Sequence, residues 1–87
     1  MKNAFLARQF GMLIRELRQE AHLSQEEFAD RCELHRTYIG SIERGEKIIT
    51  IETAYKIAKA LGMPLSRIFQ RLEFLTEEGH NTEYDNK

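Results

Sequence analysis

Residues 36–44, RTYIGSIER, hold two arginines, a threonine, a serine and a glycine. On a helix at about 100° per residue, Arg36, Thr37, Gly40, Ser41 and Arg44 fall within an arc of about 140°, with His35, Tyr38, Ile39 and Ile42 opposite. The arginines offer planar cationic forks, Thr37 and Ser41 offer hydroxyls, and Gly40 leaves the backbone nearly bare. This chemistry suits the groove of a nucleic-acid duplex. Arginine can meet guanine O6 and N7 through two hydrogen bonds, and Thr or Ser can bond a base edge or touch a thymine methyl. Taken alone, the arc also fits a solvated face with incidental arginines. The elements around it decide between the two readings.

Glu43 tests the groove reading, because a carboxylate on that face would repel phosphate. It lies at the border of the arc, beside Ile39, where it can turn inward. Arg18, one residue past the apolar Leu17, is positioned to reach it from an earlier helix. The spacing predicts a partly buried, bidentate Arg18–Glu43 pair that pins the 36–44 helix.

The elements that must position these residues are all helical. Leu6, Phe10, Leu13, Ile14, Leu17 and Ala21 recur at helical spacing, with Asn3 as a candidate N-cap. SQEE (24–27) has the capping-box form and opens a second helix through Phe28, Ala29 and Cys32. Glu33 and Leu34 form the turn before the third helix, which Gly45 closes. Thr50 caps a fourth helix with Ala54, Ile57, Ala58 and Leu61 inward, ended by Gly62. Pro64 starts a fifth, with Leu65, Ile68, Phe69, Leu72 and Leu75 along it. KIIT (47–50) is β-prone but too short to compete. The fold class is therefore all-α: five helices with tight turns, the last one extended. The second and third form a helix-turn-helix, which projects the third helix outward.

Composition bounds the rest. Eighty-seven residues make one small domain, and 41% apolar with 31% charged residues is a globular composition, not a disordered one. No apolar run approaches the ~20 residues of a membrane span. The first residues carry no cleavage-site pattern, and one cysteine makes no internal disulfide, so a cytoplasmic protein is expected. Net charge is −1 but unevenly placed. Glu77, Glu78, Glu83 and Asp85 against Lys87 leave 76–87 at −3, so the body 1–75 carries +2. Residues 1–75 are read as the DNA-binding domain and 76–87 as an acidic, flexible tail.

Four stretches carry a resemblance in combination: LRQE (17–20), LSQEE (23–27), RTYI…IERG (36–45) and AKALGMPLSRIF (58–69). Together they resemble the XRE family, prokaryotic helix-turn-helix regulators related to phage Cro and repressor proteins. The likeness covers about residues 10–70. The resemblance implies a lambda-repressor-like domain acting in transcription regulation as a homodimer on a palindromic operator. AFLARQFGMLIRELR (4–18), RTYI and the short length are further similar to restriction–modification controller proteins, which time an endonuclease relative to its methyltransferase. By position, the resemblance places Arg36, Thr37 and Ser41 at bases. It places Gln25, Tyr38, Arg44 and Lys47 on the sugar-phosphate strand, with Gln25 also buttressing the recognition helix. It likewise implies the Arg18–Glu43 pair deduced from the spacing. Two residues depart from the family pattern. Glu33 stands where glycine is usual and strains or re-angles the turn. His35 is a weaker N-cap than Ser, Thr or Asp, and its ring N–H is read instead as a donor to backbone phosphate.

Partners follow from the same pattern. Ile48 and Ile49 occupy a loop where polar residues are normal, and Ile68, Leu72 and Leu75 repeat at i, i+4, i+7 on the last helix. These five are read as a two-fold dimer interface through helices 4 and 5, placing two recognition helices about 34 Å apart. Duplex DNA is the expected ligand, with RNA polymerase a further candidate partner. No cofactor, metal, membrane or small-molecule ligand is implied. Catalysis finds no support: the histidines lack partners at metal-ligand spacing, Ser24 and Ser41 have no activating base in sequence, and Cys32 falls on an apolar face. An antitoxin whose tail docks a toxin, or an RNA-binding or bridging use of the same fold, are the alternatives from other classes.

Overall fold

In a computed structural model of the chain, residues 4–79 are described. They form α1 (Ala4–Glu20), α2 (Gln25–Cys32), α3 (Arg36–Glu43), α4 (Ile51–Leu61) and α5 (Leu65–Gly79), with no strand among them. Asn3, the cap expected for α1, lies outside the described residues.

The starts of α2, α4 and α5 have local causes. Ser24 caps α2 with a full capping box: its Oγ accepts from Glu27 N–H at 3.0 Å, and Glu27 Oε1 accepts from Ser24 N–H at 2.9 Å. The second of these bonds, made to the ionised form, holds the Glu27 carboxyl below the usual range. Thr50 Oγ1 caps α4 by accepting from Thr53 N–H at 3.1 Å. Pro64 stands just outside α5, where its carbonyl accepts from the N–H groups of Arg67 and Ile68. It is thus the residue before the helix rather than the first within it. Proline suits that place, since its missing N–H forfeits no helical bond.

The first four helices leave through one kind of closure. A residue with positive φ follows each: His22 (61°), Glu33 (60°), Gly45 (77°) and Gly62 (70°). The next N–H then folds back onto the last turn: Leu23 to Arg18 O, Leu34 to Ala29 O, Glu46 to Ser41 O and Met63 to Ala58 O, at 2.9–3.2 Å. Two of these four αL positions are not glycine and carry the steric cost of a Cβ there. Ala21, counted inward from the periodicity, is exposed in the first of these turns. At its other end the chain stays helical longer than expected, for α5 runs through Thr76 to Gly79.

The helices close a ring of contacts in the order α1, α3, α2, α4, α5 and back to α1. Every helix sends a side chain to the centre: Leu13 and Ile14, Phe28 and Cys32, Ile39 and Ile42, Ile57, and Ile68, each 1% exposed or less. Burying such a side chain contributes roughly 1.5–3 kcal/mol, so this cluster holds the ring together. The tightest approach is between α1 and the end of α3. A Cβ on Gly11 would overlap the carbonyl oxygens of Ile42 and Glu43, and one on Gly45 would lie 2.8 Å from Arg8 Cα. Gly11 therefore sets how closely α1 backs the third helix.

Glu33 is exposed and its side chain caps nothing, so relief of its backbone strain should dominate any change there. Glu33→Gly is expected to stabilise the fold by about 1 kcal/mol. Urea unfolding would show a higher midpoint at unchanged slope. An equal or lower midpoint would mean that the turn is not strained.

Candidate nucleic-acid interface

The α3 helix has eight residues and no side-chain cap, since His35 at its N-cap position makes no capping bond. A helix this short is marginal on its own. Tertiary bonds at its far end fix it instead. Arg18 on α1 donates through Nε to Glu43 Oε2 at 2.7 Å and through Nη2 to Glu43 Oε1 at 3.1 Å. Arg18 Nη1 donates to the carbonyl of Leu23, in the turn between α1 and α2, at 2.8 Å. Gln25, the first residue of α2, donates through Nε2 to Glu43 Oε1 at 3.0 Å. The side chains of Arg18 and Glu43 are 10% and 3% exposed. Among the described residues no buried side-chain polar atom lacks a partner. One carboxylate thus ties α1, α2 and α3 together.

The capping box explains why Gln25 can do this. By starting α2 at a fixed residue it sets the rotation of the first turn, and the Gln25 amide then lies across α3. A Cβ on Gly40 would stand 3.9 Å from both amide heteroatoms and 3.2 Å from Arg44 Nη1. Gly40 is therefore floor rather than open backbone: two polar side chains already rest on it.

The remaining residues of the arc separate into two groups. Arg36, Thr37, Arg44 and Lys47 are exposed, as is His35, and Tyr38 is half-buried against the core. Ser41 is not at the surface. It is 6% exposed, and its Oγ donates to the Tyr38 carbonyl at 2.7 Å, a bond back into the preceding turn. The expectation that Ser41 meets a base is thus corrected, because both its burial and its committed hydroxyl remove it from the face. Arg44, expected on the sugar-phosphate strand, has a partner within the chain. It donates through Nε to Glu46 Oε2 at 2.8 Å and through Nη2 to Glu46 Oε1 at 3.2 Å, with both side chains more than half exposed. The hydrogen bonds from Arg44 hold the Glu46 carboxyl below the usual range, so the pair stays ionised at neutral pH. Arg8, which sequence reasoning passed over, packs its backbone and the base of its stem on Gly45.

The apolar surface also differs from expectation. Ile68 is 1% exposed in the core and is unavailable to a partner, because α5 turns that residue toward α1 and α4. Leu72, Leu75 and Ile49 are half-buried against the same core. Of the large apolar residues left exposed, Ile48, 78% exposed, lies with Ile51, Leu6 and Phe69, whereas Met12, Tyr55 and Phe74 are exposed elsewhere. The first four line one groove between α1, the α3–α4 loop and α5. Leu6, Ile51 and Phe69 were legible only as helix residues; their outward phase depends on how the helices pack. Cys32 is buried, and its thiol is pushed up to about 11 by desolvation, which fits a core residue and not a nucleophile. No described helix is long and apolar enough to cross a membrane.

A short helix locked from behind by buried hydrogen bonds, with cations on its outer face and a preceding capped helix, defines the helix-turn-helix class. The helix-turn-helix family profile matches residues 14–68, and the chain belongs to that family. Its relatives include the control protein C.BamHI of Bacillus amyloliquefaciens, 46% identical over 55 residues that span 62% of this chain and 68% of that protein. The control protein C.SmaI of Serratia marcescens is 41% identical over 66 residues, 76% of this chain and 79% of that one. Among solved structures, the restriction–modification controller protein C.Esp1396I, a tetramer in complex with its natural 35 base-pair operator, matches with a TM-score of 0.73. That match has 34% identity and covers 78% of this chain and 90% of that one.

Removing the Arg18 side chain strands a buried carboxylate. Arg18→Ala is expected to lose about 3–5 kcal/mol of stability, measured by urea unfolding at neutral pH. A loss below about 1 kcal/mol, the range of an exposed pair, would show that the network does not hold α3.

Proposed function

We propose that the chain is a transcriptional regulator of the restriction–modification controller kind, binding a palindromic operator as a homodimer. In this reading α3 enters the major groove. Arg36 and Thr37 reach base edges, while Gln25, His35, Tyr38, Arg44 and Lys47 face the sugar-phosphate strand. The observation that carries it is the Glu43 network, which turns the acid of α3 inward and leaves the exposed arc cationic. Relatives named as control proteins, and a similar controller protein crystallised on its operator, support the same assignment.

The dimer rests on the groove of Leu6, Ile48, Ile51 and Phe69. Four large apolar residues gathered on so small a domain are a surface that water disfavours. A second copy related by a two-fold axis would cover them with the same residues, and it would set two α3 helices on successive turns of one duplex face.

Selection of bound duplexes from a random pool would define the operator and its symmetry. On that operator, Arg36→Ala is expected to lose about 1–3 kcal/mol of binding and to relax preference at one base pair. Lys47→Ala should weaken operator and random duplex alike, lowering the salt slope by about one per protomer. Equal losses on both duplexes for Arg36→Ala would remove it from the base-reading set.

For the dimer, Ile51→Glu should leave the helical signal intact, because Ile51 is already exposed, yet shift the protein to monomer in sedimentation equilibrium. A wild-type protein that sediments as a monomer at tens of micromolar would exclude this interface; that concentration corresponds to about 6–7 kcal/mol of association.

A further inference from the structure

Arg44 and Glu46 flank Gly45, and the positive φ of that glycine brings their side chains onto the same side of the chain. The carboxylate occupies Nε and Nη2 of Arg44, the same planar fork through which an arginine takes a phosphate with two parallel bonds. The third nitrogen, Nη1, lies back over Gly40 beside the Gln25 amide. The pair therefore sits at the edge of the cationic arc rather than away from it. Lys47 follows directly, and Arg8 rests on Gly45, so Glu46 is the one acid in this stretch not tied inward as Glu43 is.

Because both partners are more than half exposed, the pair is weakly held and exchangeable. A duplex phosphate presents the same charge and geometry as the carboxylate and brings the release of condensed counterions in addition. We infer that Glu46 is an intramolecular competitor for the DNA backbone: it occupies the phosphate-binding fork of Arg44 in the free protein and must be displaced when DNA binds, which lowers affinity for every duplex without altering base preference. The inference rests on the DNA-binding reading and adds to it a residue that sets affinity from inside the chain. Orientation by Glu46 is the opposite possibility, and it has the opposite sign. A carboxylate that merely aimed Arg44 would leave the fork free, whereas here both fork nitrogens are engaged.

The test compares wild type, Glu46→Gln, Arg44→Ala and the double variant by fluorescence anisotropy on a mixed-sequence duplex across a salt series. Thermal unfolding by circular dichroism serves as the control for folding; exposed side chains on a loop should leave it unchanged. Glu46→Gln is expected to bind about three- to tenfold tighter at low salt, with the salt slope steeper by about one per protomer. In the Arg44→Ala background the same change should have little effect. Weaker binding by Glu46→Gln would overturn the inference in favour of an orienting role. Unchanged affinity and slope would place the pair clear of DNA and overturn it too. A gain that persists without Arg44 would reduce Glu46 to a general repulsive charge, and the competitor role would fall. A wild-type protein that fails to bind the duplex at all would instead sink the DNA-binding reading, and with it this inference.

Discussion

The Glu43 carboxylate is the point on which the rest of the structure depends. A helix of eight residues without an N-cap bond has too few internal hydrogen bonds to hold its own place. Its orientation is fixed because one carboxylate accepts from Arg18 on α1 and Gln25 on α2, and Arg18 is itself anchored to the Leu23 carbonyl. Burying an ion pair gives little net stability relative to an apolar pair of equal volume. What it supplies here is direction. Each bond has a required length and angle, so the rotation of α3 about its axis is set in a way that Ile39 and Ile42 alone could not achieve.

Packing and polar bonding share this task without overlap. Gly11 lets α1 approach until its backbone meets the carbonyls at the end of α3, and the apolar ring presses from the other side. The polar network lies where these meet and has no unsatisfied member among the described residues. A network that was only partly satisfied would be a liability at low dielectric, and completeness is the condition under which it rigidifies. Glu33 and His22 show the opposite case. Their turns are closed by backbone bonds despite unfavourable φ, because the helices they join are already committed by the core.

Much of the fold could be read from the residues, and the reasons for the misses are physical. Caps and stops were legible because they are local: Ser24 with Glu27, Thr50, Gly45 and Gly62 each act within a few residues. Arg18 and Glu43 were legible as a pair because each was a charge at the border of an apolar stripe, where an inward partner is the least costly outcome. Ser41 and Ile68 were misread because a helical wheel gives phase but not neighbours. Ser41 is buried with its hydroxyl returned to the preceding turn, and Ile68 is drawn into a core that α5 completes. The Arg44–Glu46 pair was missed for another reason: helix geometry does not bring i and i+2 together, whereas the αL turn at Gly45 does.

The two acids near the end of α3 show how position decides the effect of the same chemical group. Glu43 lies inside, where water cannot replace its partners, so its bonds are permanent features of the fold and its charge is hidden from the surface. Glu46 lies outside, where water and salt compete for its arginine, so its bonds are reversible. A regulator that must find one site among many needs moderate affinity for random duplex, since tight non-specific binding sequesters it away from its operator. A cationic arc with every charge free works against that need. On the proposed reading, taking one arginine partly out of play with a carboxylate two residues away would temper the non-specific term, while Arg36 and Thr37 would remain free to discriminate bases. The same chemical group thus shapes the helix from inside at Glu43 and, on the proposed reading, would restrain from outside, at Glu46, the surface that the helix presents.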